Sequence, residues 1–374
     1  ENAMEAAVIP GITVWGVNCL NDLLAALNHP ELETEKVYQP RIRAEDLLRE
    51  GTGQDTGDFR EVAGQENAKR GAEIAAAGFH NLLMIGPPGV GKSMVAGRIP
   101  GILPPLTLKE SLEVTGIFSV AGLLPPGQAL ITRRPFYAPH HTVTQAALIG
   151  GGSGIPRPGM VSLAHRGVLF LDELPEFRKN VLDGMRQPME ERKVQIARSA
   201  GMVTYPSDFI LVAAMNPCPC GYYPDRNKCR CTQPQIEKYL GKISGPILDR
   251  IDLCVELHPV DILHLQKTKT EKSSEDMKRQ IRHARERQAE RFAGTDCRFN
   301  GDIRSAQVEE YCPLGEEGQK VMEQLYRTLQ LSARVYHRIL KTARTIADLE
   351  DREEITGEHL LEAACYRPSE TYWN

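Results

Sequence analysis

The stretch Gly86-Pro-Pro-Gly-Val-Gly-Lys-Ser93 decides the fold of this chain of 374 residues, because it matches the phosphate-binding pattern G-x-x-x-x-G-K-[ST] at every fixed position. The apolar run Asn81-Leu-Leu-Met-Ile85 precedes it and predicts a buried strand. Met94-Val-Ala-Gly-Arg98 follows it and predicts the opening of a helix. A strand, a glycine-rich loop and a helix in this order indicate a phosphate-binding α/β domain. The alternative is a plain glycine- and proline-rich turn between a strand and a helix.

The phosphate loop is expected to bind a nucleotide through its backbone and two of its side chains. Glycines let backbone N–H groups curl around a phosphate, and the helix that follows adds partial positive charge. Lys92 can reach the β- and γ-phosphates, and the Ser93 hydroxyl can ligate Mg²⁺. The residues predicted to hold the nucleotide are Gly86, Pro87, Pro88, Gly89, Val90, Gly91, Lys92, Ser93 and Met94.

A second motif, Gly167-Val-Leu-Phe-Leu-Asp-Glu173, is an apolar run that ends in two carboxylates. In nucleotide hydrolases such a strand lies beside the phosphate loop, and its first carboxylate, here Asp172, holds the Mg²⁺ shell. The second carboxylate, Glu173, can polarise the attacking water as a general base. Taken alone, the run is equally typical of a strand that ends in a solvated acidic turn. Together with the phosphate loop it favours ATP hydrolysis.

The composition is that of an ordinary globular protein, with 41% hydrophobic and 25% charged residues. The length is sufficient for about two or three domains. No stretch approaches the ~18 consecutive apolar residues of a membrane helix, and the first residues lack the pattern of a signal peptide. We therefore expect a cytoplasmic protein without a membrane partner. The net charge of −4 argues against a protein that coats nucleic acid, but it is compatible with a local basic pore.

Nine cysteines in a chain without a signal peptide indicate a reducing compartment. Four of them, Cys218, Cys220, Cys229 and Cys231, form two closely spaced pairs. Thiolates at this density can hold tetrahedral Zn²⁺, although the usual spacing within a pair is about two to four residues and here a single residue intervenes. The alternative is a reduced or disulfide-stapled loop without a metal.

Three zones follow one another along the chain. Residues 1–58 hold one predicted strand, Ile12-Thr-Val-Trp-Gly-Val17, and one predicted helix, Leu20–Leu27, before a glycine-rich linker. Residues 59–258 alternate predicted helices and strands, which favours an α/β domain with a parallel sheet flanked by helices. Residues 259–374 are charged and predict a helical lid domain. The helices predicted in this last zone are 272–293, 332–349 and 356–364.

The order of the motifs resembles the AAA+ ATPases, in the branch that contains magnesium-chelatase ATPase subunits and MCM helicases. The matching segments are Val62-Ala-Gly-Gln65, the phosphate loop, the Leu-Asp-Glu strand, Met215-Asn216, Leu248-Asp-Arg-Ile-Asp252 and Leu331-Ser-Ala-Arg334. Within that branch, three further segments resemble the ComM (YifB) family of magnesium-chelatase-like bacterial proteins. They are 134–142, 162–177 and Asn216-Pro-Cys-Pro-Cys-Gly221. The resemblance also implies that 1–58 is the end of a Lon-like N-terminal domain.

The resemblance implies roles for five further residues. Asn216 occupies the sensor-1 position, where an amide contacts the γ-phosphate and helps to place water. Arg250 matches the arginine finger, which stabilises transition-state charge on a neighbouring subunit's nucleotide. Arg334 matches sensor 2 on the lid, and Val62 and Gln65 match the segment that packs near adenine. For each arginine, the alternative is a structural salt bridge.

Two segments are expected to face a central pore. Residues 135–154 resemble the helix-2 insert of the branch, and Glu191–Tyr205 resembles its pre-sensor-1 hairpin. Arg192, Lys193 and Arg198 alternate with the apolar Val194 and Ile196, a pattern that predicts a two-stranded ribbon with one face packed. Several copies of these cations around a pore would concentrate positive charge for binding DNA phosphates.

Two classes of function remain open at this point. In the first, the resemblance to ComM implies a homo-hexameric, ATP-driven motor that acts on single-stranded or branched DNA, as a helicase or branch-migration factor in recombination or natural transformation. In the second, the chain is a chelatase- or MoxR-like ATPase that remodels a protein partner or assists metal insertion. Stimulation of ATP hydrolysis by DNA discriminates between them, because a remodelling ATPase has no reason to respond to it.

Overall fold

The structure is a computed structural model that describes residues 3–28, 43–50, 57–152, 156–198, 201–260, 272–367 and 372. The chain divides into two compact units. The first consists of Glu1–Gln54 and Pro105–Arg134, and the second of Asp55–Pro104 and Pro135–Asn374. The domain boundaries predicted near residues 58 and 258 stay a prediction.

The described residues form seventeen α-helices and nine β-strands. The helices are α1 (Ala3–Ala7), α2 (Leu20–Asn28), α3 (Ala44–Glu50), α4 (Glu66–Gly78), α5 (Lys92–Ile102), α6 (Leu108–Ala121), α7 (Gln145–Ile149), α8 (Met160–Leu163), α9 (Lys179–Gly184), α10 (Arg186–Glu191), α11 (Gln233–Leu240), α12 (Gly245–Leu248), α13 (Ser274–Arg291), α14 (Val308–Tyr311), α15 (Glu316–Thr328), α16 (Ala333–Leu349) and α17 (Gly357–Cys365). The strands are β1 (Leu82–Ile85), β2 (Phe136–Tyr137), β3 (Gly150–Gly151), β4 (Arg157–Pro158), β5 (Val168–Leu171), β6 (Lys193–Arg198), β7 (Gly201–Pro206), β8 (Ile210–Met215) and β9 (Leu253–Glu256). Short 3₁₀ helices cover Phe59–Glu61, Leu174–Glu176, Asn300–Asp302 and Ser305–Gln307.

The first unit is helical and contains α1, α2, α3 and α6. Helix α6 begins with a capping box, in which the Glu110 N–H donates to the Thr107 hydroxyl at 3.2 Å and the Thr107 N–H donates to the Glu110 carboxylate at 3.1 Å. Helix α2 confirms the helix predicted over 20–27. The strand predicted at 12–17 is wrong, since the structure assigns no strand there. Ile12 is 51% exposed, so this apolar run lacks the burial that stabilises a strand.

The second unit is built on a five-stranded sheet in the order β2-β5-β8-β1-β9. Every pairing in this sheet is parallel, with Leu82 opposite both Val212 and Leu253. Strands β1, β5 and β8 are buried along their whole length, as expected for a parallel sheet with both faces covered. This arrangement confirms the predicted parallel sheet, the strand predicted before the phosphate loop and the strand predicted before Asp172.

The two faces of the sheet pack into separate clusters of buried side chains. Alternate residues of β1 point to opposite faces, so Leu82 and Met84 join one cluster and Leu83 and Ile85 join the other. The first cluster also includes apolar residues of α4, α5, α13 and α16. The helices after the sheet therefore share its hydrophobic core.

The C-terminal helices α13, α16 and α17 confirm the predicted helical lid. Helices α13 and α16 are joined by a buried ionic network around Asp348, whose side chain is fully buried. Arg291 donates to both of its carboxylate oxygens, at 2.6 and 2.8 Å, and Arg344 lies 3.1 Å from it. Because a buried carboxylate needs charged partners, this network fixes how α13 packs on α16.

Candidate active site

The carboxyl ends of three adjacent strands bring the predicted site residues together. Strands β1, β8 and β5 are neighbours in the sheet, and they run in the same direction. The phosphate loop follows β1, Asn216 follows β8, and Asp172 and Glu173 follow β5. The sheet order thus places Asn216 between the phosphate loop and the two carboxylates, at the edge where open α/β sheets bind their ligands.

The backbone of the phosphate loop requires glycine at three positions. Gly89 and Gly91 have φ values of +80° and +95°, in the left-handed region, and Gly91 caps the N-terminus of α5. At Gly86, an added Cβ would lie 2.6 Å from the carbonyl oxygen of Leu257. The loop therefore turns tightly into α5, whose N-terminal N–H groups are suited to bind phosphate.

The side chain of Lys92 is buried and forms hydrogen bonds within the loop. Its Nζ atom donates to the carbonyl oxygens of Gly86 at 2.6 Å and Pro87 at 2.9 Å, and to Oδ1 of Asn216 at 2.9 Å. Burial lowers the pKa of Lys92, against the opposite effect of the two carboxylates after β5. The contact with Asn216 joins the phosphate loop to the predicted sensor-1 residue.

The two predicted Mg²⁺ ligands are in direct contact. The Ser93 hydroxyl donates to Oδ2 of Asp172 at 2.9 Å, and the N–H of Glu173 donates to Oδ1 of the same carboxylate at 2.9 Å. A hydroxyl and a carboxylate at this separation are the oxygen donors that a hard cation such as Mg²⁺ prefers. The donor set fits Mg²⁺ bound between Ser93 and Asp172.

Glu173 has an unusual backbone conformation and contacts His141, for which the sequence predicts no individual role. Its φ is +53°, in the left-handed region, and its side chain is 56% exposed. Oε2 of Glu173 lies 3.0 Å from Nδ1 of His141. The two adjacent histidines of the 135–154 segment are visible in the sequence as candidate functional residues. Nothing in the sequence around them, however, indicates a contact with the carboxylate that follows β5.

The predicted adenine-side residues lie beside the phosphate loop. Nε2 of Gln65 donates to the carbonyl oxygens of His258 at 2.6 Å and Val90 at 3.3 Å. Gln65 has a φ of +57° and stands just before α4. Val62 is buried in the same core cluster as α4 and α5. These contacts give Gln65 and Val62 a position next to the loop, and their role in binding adenine stays a prediction.

Arg250 and Arg334 do not join this site. The carbonyl oxygen of Arg250 accepts a hydrogen bond from Asn81, the residue just before β1, at 2.8 Å, so Arg250 lies at the amino end of the sheet. Its guanidinium contacts Glu190 and the carbonyl of Pro246. Arg334 pairs with Asp249.

A four-residue strand spans roughly 13 Å, so these two arginines are remote from the phosphate loop of their own chain. Burial and the nearby guanidinium groups of Arg334 and Arg186 lower the pKa of Arg250. The amino end of the sheet therefore carries a cluster of three arginines.

The four predicted zinc ligands form one cluster. The Sγ atoms of Cys218, Cys220, Cys229 and Cys231 all lie within 4.8 Å of one another, and all four cysteines are free thiols. The cluster begins two residues after Asn216 in the chain. This geometry excludes a disulfide-stapled loop in the structure and brings together four ligand atoms.

The predicted hairpin forms, with β6 and β7 paired antiparallel from Lys193 opposite Pro206 to Arg198 opposite Gly201. Val194 and Ile196 are buried and Lys193 is exposed, as the alternation predicts. The side chain of Arg198 and the residues between the two strands lie outside the described residues.

One of the three predicted DNA-binding cations is held internally. Arg192 pairs with Asp208 at 3.4 Å and also with Asp302, and both carboxylates are buried. These two carboxylates hold the pKa of Arg192 above its usual value despite burial. Arg192 is therefore engaged in ion pairs within the chain, where Arg166 and Arg298 also pair with Asp208, and its contact with DNA stays a prediction.

The hairpin packs against the segment that carries His141. An added Cβ on Gly150 would lie 2.6 Å from Cδ1 of Ile196, and the Tyr205 hydroxyl donates to the carbonyl oxygen of Pro156 at 2.7 Å. The two segments predicted to face a pore are thus one packed block, which reaches Glu173 through His141.

Comparison with known proteins identifies the family of the chain. The family model for magnesium chelatase subunit ChlI matches residues 58–265, and the model for its C-terminal part matches 271–367. The chain is 40% identical over 376 residues to the competence protein ComM of Haemophilus influenzae, with 98% of this chain and 70% of the relative covered. The chain belongs to the ComM/YifB family. It is also 46% identical over 314 residues to the uncharacterized protein YifB of Salmonella typhimurium, with 83% of this chain covered.

The ComM/YifB family places the chain among the AAA+ magnesium-chelatase-like proteins, whose membership implies the use of ATP and Mg²⁺. The Magnesium-chelatase 67 kDa subunit of Chlorobaculum parvum is more distant, at 25% identity over 241 residues, with 59% of this chain and 34% of the relative covered. The chain spans about 60% of the length of the YifB relatives. Within the described residues, no helix combines the length and the apolar character that crossing a membrane demands.

Proposed function

We propose that this chain is the ATP-hydrolysing module of a ring-forming motor that acts on DNA. The observation that carries the ATPase part is the constellation after β1, β8 and β5, in which Lys92 contacts Asn216 and Ser93 contacts Asp172. This arrangement supports phosphoryl transfer, which uses a lysine on the phosphates, oxygen ligands for Mg²⁺ and a residue that positions the attacking water. The cofactors proposed are ATP and Mg²⁺ at this site and Zn²⁺ at the four-cysteine cluster.

The side chains of this site divide into those that bind the nucleotide, Mg²⁺ and water and one that acts as a base. Ser93 and Asp172 would hold Mg²⁺, which supplies positive charge to the phosphates when bound. Lys92 neutralises charge on the β- and γ-phosphates, and Asn216 positions the attacking water. Glu173 accepts a proton from that water. The water oxygen forms a bond to the γ-phosphorus, and the bond between that phosphorus and the oxygen of the leaving ADP breaks.

The position of the arginines supports a ring. Arg250 and Arg334 lie at the amino end of the sheet, opposite the edge that carries the phosphate loop. A guanidinium there cannot act on the nucleotide of its own chain, but it can present positive charge to the γ-phosphate of a neighbouring subunit. We propose a homo-hexamer in which Arg250 acts as the finger and Arg334 as the lid sensor across each interface.

DNA is the proposed substrate of the motor, with contacts through Lys193 and Arg198 of the hairpin. The packed block formed by the hairpin and the 135–154 segment ends at His141, 3.0 Å from Glu173. This block offers a short physical connection from a bound strand to the catalytic base. The Haemophilus relative is named a competence protein, and we propose for this chain branch migration or helicase action in recombination or natural transformation.

A second candidate is an ATPase that remodels a protein partner or assists metal insertion. The family models that match the chain are named for the magnesium chelatase subunit ChlI, and the Chlorobaculum relative is named a magnesium-chelatase 67 kDa subunit. Such an ATPase shares the nucleotide site but does not use DNA as a substrate. The hairpin would then contact a protein instead.

The deciding experiment measures phosphate release with and without single-stranded, duplex and four-way-junction DNA. The motor proposal expects several-fold stimulation by single-stranded or branched DNA and dissociation of a labelled junction that depends on ATP. The Lys92→Ala variant controls for contaminating ATPase. Basal hydrolysis that no DNA accelerates would reject the motor and favour the protein-remodelling candidate.

A further inference from the structure

The four-cysteine cluster has the dimensions of a tetrahedral zinc site. With Zn–S bonds of ~2.3 Å, the sulfur atoms of such a site are ~3.8 Å apart. Here Cys218 Sγ lies 3.4 Å from Cys220 Sγ and 3.8 Å from Cys229 Sγ, and Cys220 and Cys229 are 3.6 Å apart. All four sulfurs lie within 4.8 Å. A disulfide would instead require one pair at ~2.05 Å.

The backbone around the cluster is arranged to point the sulfurs inward. The N–H of Gly221 donates to the carbonyl of Cys218 at 3.0 Å, which closes a tight turn around Cys220. The N–H of Cys229 donates to the carbonyl of Asp225 at 2.7 Å and closes the second turn. The N–H of Tyr223 donates to Cys218 Sγ at 3.4 Å, a contact that stabilises a thiolate ligand.

The cluster is also anchored in the protein core. Cys218 is fully buried and Cys229 is 7% exposed, and both belong to the core cluster that includes Tyr239 of α11 and Met215 of β8. A metal bound here would therefore be fixed to the sheet and not to an independent surface loop.

The turn of the cluster lies directly against the phosphate loop. Gly221 has a φ of +87°, and an added Cβ would lie 2.5 Å from Cδ of Pro88. On the other side, Asn216 stands two residues before Cys218 and binds Lys92 at 2.9 Å. The segment 216–221 thus lies against the nucleotide site at two points, the Pro88 ring of the loop and the side chain of Lys92.

We infer that the four cysteines bind a structural Zn²⁺ which holds segment 216–221 rigid, and that this segment in turn holds the phosphate loop and Asn216 in position for nucleotide. The inference rests on the nucleotide-binding part of the proposed function. Its physical basis is that a turn held by a metal restricts the positions of Pro88 and Asn216. The protein then loses less conformational entropy when the nucleotide binds.

The metal site is tested first, on the whole chain purified under reducing conditions without chelator. Elemental analysis is expected to find about one zinc per chain in the wild type and in Cys312→Ser, which removes a buried cysteine outside the cluster. Cys229→Ser is expected to lose the zinc. If that variant fails to fold, Co²⁺ added to stripped wild type should give the absorption of a tetrahedral thiolate site. Reduced, folded wild type that takes up neither metal would overturn the inference.

The coupling to the phosphate loop is tested by binding of a fluorescent ATP analogue. Removing zinc from folded protein is expected to weaken binding by about tenfold, and restoring it should recover the affinity. Gly221→Ala should keep the zinc and still weaken binding, because its Cβ displaces Pro88. Gly294→Ala, which also puts alanine at a left-handed φ (+78°) but where an added Cβ meets open space, is the matched control.

Two outcomes separate the possible failures. Unchanged affinity in both zinc-stripped protein and Gly221→Ala would overturn the coupling. A zinc-loaded chain that binds no analogue at all would contradict the proposed nucleotide function, and the measured zinc content would then decide the metal site independently.

Discussion

Nδ1 of His141 lies 3.0 Å from Oε2 of Glu173, which joins the 135–154 segment to the predicted catalytic base. The segment continues to Gly150, which packs against Ile196 of the hairpin. A displacement of the hairpin can therefore move the carboxylate that polarises water. This contact offers a direct route from the hairpin to the predicted catalytic base.

Replacing His141 by alanine is expected to uncouple ATP hydrolysis from DNA. Loss of the contact frees Glu173 from the segment, so the basal rate should rise and the stimulation by DNA should fall, each by roughly fivefold for ~1 kcal/mol. The measurement is phosphate release across a titration of single-stranded DNA. His140→Ala is the control, because His140 contacts Thr142 at 2.9 Å instead. Equal behaviour of the two variants would contradict the coupling role.

Glu173→Gln should bind ATP with near wild-type affinity but lose turnover by about 10²-fold or more, because the amide cannot accept the proton. Lys92→Ala should lose binding as well, since it removes the positive charge that faces the phosphates. Calorimetric binding and single-turnover hydrolysis separate the two effects. A similar loss of affinity in both variants would reject the assignment of Glu173 as the base.

Arg250→Ala should bind ATP and be almost inactive, because its guanidinium serves a neighbouring subunit. Mixing it with an equal amount of Lys92→Ala should restore part of the activity, since some interfaces then pair an intact arginine with an intact phosphate loop. The assay is ATP hydrolysis against the mixing ratio, with mixed oligomers verified by mass. Mixed oligomers without recovery would instead support a structural salt bridge with Glu190.

Reversing the charges of Lys193 and Arg198 to glutamate should abolish stimulation by DNA and leave basal hydrolysis unaffected, because Lys193 is exposed on the hairpin. Arg192→Glu should behave differently and lower the melting temperature, since it places a third carboxylate beside the buried Asp208 and Asp302, which Arg166 and Arg298 alone would then have to neutralise. Thermal unfolding and DNA-stimulated hydrolysis measured on both variants test this distinction. Stimulation that survives the double reversal would leave 135–154 as the DNA-contacting segment.

Local chemistry was sufficient to predict the phosphate loop, the strand that ends at Asp172, and the hairpin. A glycine at positive φ and a strict alternation of apolar and polar residues both depend on neighbours within a few residues. Such patterns therefore predict local structure without knowledge of the rest of the fold. The prediction of a strand at 12–17 was wrong because strand formation also depends on distant parts of the chain. An apolar run becomes a strand only when another part of the chain covers and pairs it.

The sequence by itself determined which functional groups this protein has: the phosphate loop, its two carboxylates, the sensor amide and four clustered thiols. Only the tertiary structure decided which of them touch. It set His141 on Glu173, Gly221 on Pro88 and Arg192 between two buried carboxylates, and it moved Arg250 and Arg334 to the opposite end of the sheet. These contacts join residues from separate elements, and their positions follow from strand order and packing, which no short stretch of sequence encodes.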